Sequence, residues 1–285
     1  MSHDIAPVST PRRILRRASR LVLVLLLVGA LAALLPTVTG AAGTSVWALP
    51  LGVAMSVFGL WAYRIVIRRV DRREPLELSR EGAAGIGWGT AAGIGLFTAT
   101  IAAITVFGGY RILGWGSFEA FLAVFGLMCA VGVAEELLFR GVIFRFLEET
   151  TGTWGALAVS SVLFGGAHMM NPNATLWGGL AIALEAGLML GAAYVATRSL
   201  WLPIGIHIGW NAAQAGIFGT AVSGSEGAFA GLLLGETRGL TMIGGGAFGP
   251  EGSILAVLFC GAVTVYLLRV AHRRGHIVPR AARRA

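Results

Sequence analysis

The 285-residue chain contains no lysine, yet its formal charge is +8. Every positive charge on a side chain other than histidine is therefore an arginine. Charge of either sign is scarce: 13% of residues are charged, against about 25% in an ordinary soluble domain. That supply cannot clothe a water-soluble surface, whereas a hydrophobic content of 56% suits a chain whose outer face meets lipid. Basic stripes interleaved with aromatics are missing, which argues against a nucleic-acid partner. The two cysteines, Cys129 and Cys260, both fall in apolar stretches, so they read as small buried side chains rather than a disulfide framework. No G-x-G-x-x-G follows a strand-like run, and no H-E-x-x-H is present.

What the chain has in abundance is long apolar runs. The arginines at 12, 13, 16, 17 and 20 followed by such a run resemble the start of a secretory signal, and Thr10-Pro11-Arg12-Arg13 a twin-arginine one. The run from Leu21 to Ala42 is too long for a signal core and fits a spanning helix. Divided at charged and turn-rich breaks, the sequence predicts an all-α polytopic membrane bundle of about eight transmembrane helices, at 21–42, 45–67, 82–108, 118–144, 154–170, 174–197, 199–219 and 253–271. The organisation is then a basic N-terminus (1–20), N-terminal transmembrane helices (21–110), a polar-bearing core (117–219), an external loop (220–252), a last transmembrane helix (253–271) and a basic tail (272–285).

Alternate connections differ sharply in arginine. One side collects the N-terminal five, Arg64, Arg68, Arg69, Arg72, Arg73 and Arg80, then Arg140, Arg145 and Arg198 at helix ends, and six from Arg269 to Arg284. The other side holds only Arg111 and Arg238. Cytoplasmic loops carry the positive excess, so the expectation is an inner-membrane protein with both termini in the cytoplasm. Gly85, Gly89 and Gly93 recur every fourth position and predict close helix packing. The glycine-rich stretch 221–252 reads as a loop or lid.

The informative residues are the polar ones inside the spans, because an ionisable group in hydrocarbon is costly and marks a function or a partner. They are Glu135, Glu136 and Arg140 in the fourth span, His168 in the fifth, Glu185 in the sixth, and His207 with Asn211 in the seventh. Glu136 and Arg140 are four apart and can pair on one helix face. Glu135 is turned about 100° away and stays free to point elsewhere. His207 and Asn211 share a face. At 1.5 Å per residue from the arginine-rich ends, Glu135 and His207 lie roughly 12 to 14 Å deep and His168 roughly 15 to 20 Å, within one band of the membrane. A carboxylate beside an imidazole in a low-dielectric cavity suits activation of water, and an amide with a second imidazole can donate to a developing oxyanion. On this count no outer loop lies nearer to Glu135 and His207 than the cytoplasmic ones, so substrate is expected from the cytoplasm or the inner leaflet. Glu185 is expected to line a cavity or to hold an interhelical hydrogen bond in its protonated form.

Glu135-Glu136-Leu137-Leu138-Phe139-Arg140, then Phe164-x-x-x-His168, then His207-x-x-x-Asn211, together resemble the CAAX protease and bacteriocin-processing (CPBP) family, over roughly residues 117 to 219. Thr197-Arg198-Ser199-Leu200-Trp201 is similar to that family's helix connection. The resemblance implies an intramembrane endopeptidase in which Glu135 activates water, His168 assists proton transfer, His207 and Asn211 stabilise the oxyanion, and Glu136 with Arg140 shapes the site. The resemblance does not choose the substrate; entry from the cytoplasm or inner leaflet makes a membrane-associated or lipid-modified protein or peptide the expected one. The family is commonly catalogued among metalloproteases, and Glu135, His168 and His207 would be the ligands of a zinc ion. Asn211 suits oxyanion binding better than ligation, so no metal is assigned and a metal-free glutamate mechanism is favoured. Two other classes stay open: a non-catalytic immunity or partner-binding protein of the same fold, and a secondary transporter, although no internal repeat is evident.

Overall fold

The computed structural model describes the backbone of residues 10–226 and 231–280, and the side chains from Ala18 onward within them. The expected basic N-terminus therefore falls largely outside the described residues, as do Arg283 and Arg284 of the tail. Ten helices and two short strands make up the described part. The long helices are α1 (Thr10–Gly40), α2 (Ala48–Val66), α3 (Ala84–Val106), α4 (Phe118–Leu138) and α5 (Arg145–Ala167). They are followed by α6 (Leu176–Ile182), α7 (Leu188–Thr197), α8 (Trp201–Asn211), the single turn α9 (Thr241–Gly244) and α10 (Ile254–Arg273).

Six helical runs among the described residues are long and apolar enough to cross a membrane. One of them, Phe118–Met170, covers 53 residues and contains two of the expected spans. Its break is at Gly152, whose φ of 72° and ψ of 176° are non-helical and whose missing Cβ leaves room for the backbone of Val278 and Pro279. Helix α8 runs for 11 residues and continues through a wide π-helical turn, Ala212–Ile217, to make the seventh expected span. Wide π-helical turns also join α4 to α5 (Phe139–Phe144) and α6 to α7 (Ala183–Gly187). Such turns are frequent at functional sites, and these three border the cluster of polar residues between α4, α5 and α8. The bundle is all-α, as the apolar runs predict.

The glycine stripe on α3 does what its spacing predicts. A methyl group at Gly89 or Gly93 would strike the backbone of Leu202, Ile206 or Trp210 on α8, and one at Gly205 or Gly209 would strike Ile86 or Thr90 on α3. The two helices therefore touch backbone to backbone, which is how small residues replace the absent hydrophobic drive between helices in lipid. Gly52 and Gly126 bring α2 and α4 together in the same way.

The connections sort into two faces. On the arginine-rich face Arg145 and Arg73 both pair with Asp71 at 2.7 Å, Tyr63 and Arg73 both donate to Glu77, and Arg198 pairs with Glu148 at 2.5 Å. The C-terminal segment folds back here, with Arg198 donating to the His276 carbonyl and Thr153 exchanging hydrogen bonds with Val278. The opposite face is where the loop reading of 220–252 needs refinement. Strand β1 (Tyr110–Trp115) pairs antiparallel with β2 (Leu233–Thr237), so part of the glycine-rich stretch is a sheet. Its register shifts between Ile112 and Gly114, and its two strands are 118 or more residues apart in the chain at their nearest ends, which leaves no local hairpin signal to read.

If backbone contact holds α8 in place, Gly209→Ala must push α8 off α3, at a cost of about 1–3 kcal/mol for overpacking. Gly95→Ala, on the same helix α3 but facing open space, serves as the comparison. Thermal unfolding in detergent should show a lower Tm for Gly209→Ala and no change for Gly95→Ala; equal midpoints would contradict the packing.

Candidate active site

Helix α4 presents Glu135 and Glu136 as neighbours, and both reach His207 on α8. The Nδ1 of His207 lies 2.9 Å from Glu136 Oε1, while its Nε2 lies 3.8 Å from Glu135 Oε2. Adjacent carboxylates thus face the two nitrogens of one imidazole, because the ring sits in the angle of about 100° between successive helical side chains. The sequence expectation that Glu136 is occupied by Arg140 is therefore incomplete. Arg140 Nη1 does pair with Glu136 Oε1 at 2.7 Å, with both side chains almost wholly buried, but the same oxygen also accepts from His207. The guanidinium's other end donates to the carbonyls of Ala186 and Gly187 at 3.1 Å, and its carbon lies 4.6 Å from the centre of the Phe164 ring.

His168 closes the group from the end of α5. Its Nδ1 is 2.8 Å from the Phe164 carbonyl, so this nitrogen carries the proton and donates; Nε2 then faces Glu135 Oε2 at 3.9 Å. By the same reasoning His207 donates from Nδ1 to Glu136 and turns Nε2 toward Glu135. When both imidazoles are neutral, three lone pairs converge on one small region with no donor among them. Glu135 Oε2 is itself buried without a hydrogen-bond partner. At 3.8 and 3.9 Å neither imidazole bonds it directly, and the spacing suits a bridging water.

Behind the histidines lies a cavity of about 20 Å³, room for one ordered water, lined by His168, His207, Asn211, Glu185, Ser223 and Glu251 among others. Asn211 is buried one turn along from His207, as their spacing requires. Glu185 lines this cavity and accepts from Cys260 Sγ of α10 at 3.4 Å, an interhelical contact in which it is the acceptor.

A metal needs closer donors. Neighbouring ligands of a tetrahedral zinc with 2.0–2.1 Å bonds stand roughly 3.3 Å apart, and the Glu135 to histidine separations exceed this. Among the described residues no group of three histidine, cysteine or acidic side chains has ligand geometry. The donor set as arranged does not close on an ion.

Residues 116–213 match the family model described as type II CAAX prenyl endopeptidase Rce1-like. That is the family the motifs resemble. Comparison with curated proteins and with solved structures gives no match. The matched segment runs from the start of α4 into the π-helical turn after α8 and holds all the motif residues. Helices α1 to α3 and α10 lie outside it and act as its packing.

Two cavity residues of this site escaped the sequence reading. Glu251 accepts from Trp210 Nε1, Gln214 Nε2 and the backbone and hydroxyl of Ser223, and is buried. It stands in the glycine-rich stretch, where an acidic residue beside Pro250 and Gly252 carries no signal of burial. The segment that holds Ser223 lies against the group as well: Asn171, three residues beyond His168, donates to the Ser223 carbonyl at 2.6 Å.

Arg140→Ala removes the cation that Glu136 faces in a buried position, a loss of about 3–5 kcal/mol for an orphaned charge. The variant should show a depressed Tm in detergent and lowered yield, since Glu136 also orients His207. A melting midpoint equal to that of the parent would remove the ion pair from this account.

Proposed function

We propose that the chain is an intramembrane endopeptidase that hydrolyses a peptide bond of a membrane-associated or lipid-modified protein or peptide, using water activated by Glu135. One observation carries the reading: Glu135 Oε2, His168 Nε2 and His207 Nε2 converge without a donor among them, an arrangement that calls for a water between them. The family match to a prenyl endopeptidase supports the same reaction class.

Glu135 takes a proton from the water as its oxygen attacks the carbonyl carbon. The amide of Asn211 donates to the oxyanion so formed. His207, neutral at rest, takes the first proton from Glu135 at Nε2 and becomes a second donor, its charge balanced by Glu136. His168 relays the second proton of the attacking water to the departing nitrogen as the C–N bond breaks, leaving a new carboxylate and a new amine, and His207 then releases its proton to solvent. Arg140 touches none of the reacting atoms; it positions Glu136, and through it His207.

Glu135→Gln, His168→Ala and His207→Ala should each lower turnover of a peptide substrate by at least about 10²-fold. The variants should retain the parent's elution profile and melting behaviour. Unchanged turnover by purified Glu135→Gln would sink the mechanism.

The route runs without a metal, so prolonged exposure to excess chelator followed by desalting should leave turnover intact. Loss of turnover that zinc restores would show that an ion completes the site and that Glu135 is a ligand.

A further inference from the structure

A second, larger cavity lies on the arginine-rich side, between α1, the π-helical turn that ends α2 and the junction of α4 with α5. Its volume is about 340 Å³, within the range of small-molecule sites. Its lining grades from charged to apolar with depth. Asp71, Arg73 and Arg145 are 20 to 31% exposed, whereas Val24, Ile67 and Val142 are buried. Arg20 stands in the first turn of the span that begins at Ala18, and Asp71 closes the span that begins at Ala48. Both therefore lie where hydrocarbon gives way to headgroups, and Val24 sits about 6 Å deeper along α1.

Most charges at this mouth satisfy one another. Asp71 Oδ2 accepts from Arg73 Nε and from Arg145 Nη2, both at 2.7 Å. Arg73 spends its other end on Glu77, and Arg145 reaches Glu149 at 3.2 Å. Arg20 is different: it is partly buried, yet among the described residues it has no hydrogen bond or ion pair. A guanidinium is a planar fork of N–H donors that matches the free oxygens of a phosphodiester. Three arginines against two carboxylates also leave the lining with one positive charge in surplus.

We infer that this cavity binds the headgroup of an acidic phospholipid from the leaflet on the arginine-rich side, with the phosphodiester on Arg20 and the start of an acyl chain against Leu21, Val24 and Ile67. Basic pockets between transmembrane helices suit such lipids. A zwitterionic headgroup leaves the surplus charge unmatched, and inorganic phosphate makes no use of the apolar depth. Gly141 and Val142 belong both to the cavity wall and to the π-helical turn Phe139–Phe144, so the bound lipid braces the turn that carries Arg140. None of the residues of this cavity lines the one behind His168 and His207, and binding here is separate from turnover.

Melting of the full chain, delipidated in uncharged detergent, tests this. Phosphatidylglycerol in excess should raise the Tm by several degrees, and neither phosphatidylethanolamine with the same acyl chains nor inorganic phosphate should do so. Arg20→Gln should abolish the rise, while Arg68→Gln, which removes an exposed charge of the same face outside the cavity, should keep it. No rise in the parent would overturn binding, an equal rise with phosphatidylethanolamine or phosphate would overturn the lipid class, and a rise that survives Arg20→Gln would overturn the site. Should that variant fail to fold, Leu21→Trp, which fills the cavity and keeps every charge, decides in the same way.

Discussion

A single buried carboxylate organises the site. Glu136 Oε1 holds Arg140 on its own helix and His207 on another, and through Arg140 it reaches the carbonyls of Ala186 and Gly187 before α7. Three helical segments are thus tied to one oxygen in a medium where an unpaired charge is costly. Because His207 is fixed through Nδ1, its other nitrogen has one direction left to face, and Glu135 is there. Glu135 needs no clamp of its own: its orientation follows from being next to a residue that is held on two sides.

This arrangement explains the wide turns in the helices. A regular helix through Phe139–Phe144 would keep every backbone group in a four-residue ladder; the π-helical turn inserts extra backbone where α4 hands over to α5. The corresponding turn at Ala183–Gly187 places the Ala186 and Gly187 carbonyls where Arg140 can reach them. Local backbone irregularity and the buried ion pair therefore occur together, as expected where non-helical backbone at membrane depth lies inside protein.

Much of this was legible in the sequence because hydrocarbon makes polarity expensive. Few polar residues fall within the spans, so Glu135, Glu136, Arg140, His168, His207 and Asn211 stood out, and helical spacing paired Glu136 with Arg140 and Gly89 with Gly93. What spacing could not supply was the partner on another helix. Glu136 bonding His207 joins positions 71 residues apart, and Glu251 reaching Trp210 joins positions 41 apart. Neither separation repeats a period. The β1–β2 pairing was hidden for the same reason.

The backbone contact between α3 and α8 has a consequence for how such a protein can diversify. Where glycines meet glycines there are no side chains to exchange, so that wall of the site tolerates almost no variation, and it is the wall that carries His207 and Asn211. By contrast Leu127 and Val131 on α4 are partly exposed, so their side chains can change in size without disturbing the buried pair of Glu136 and Arg140.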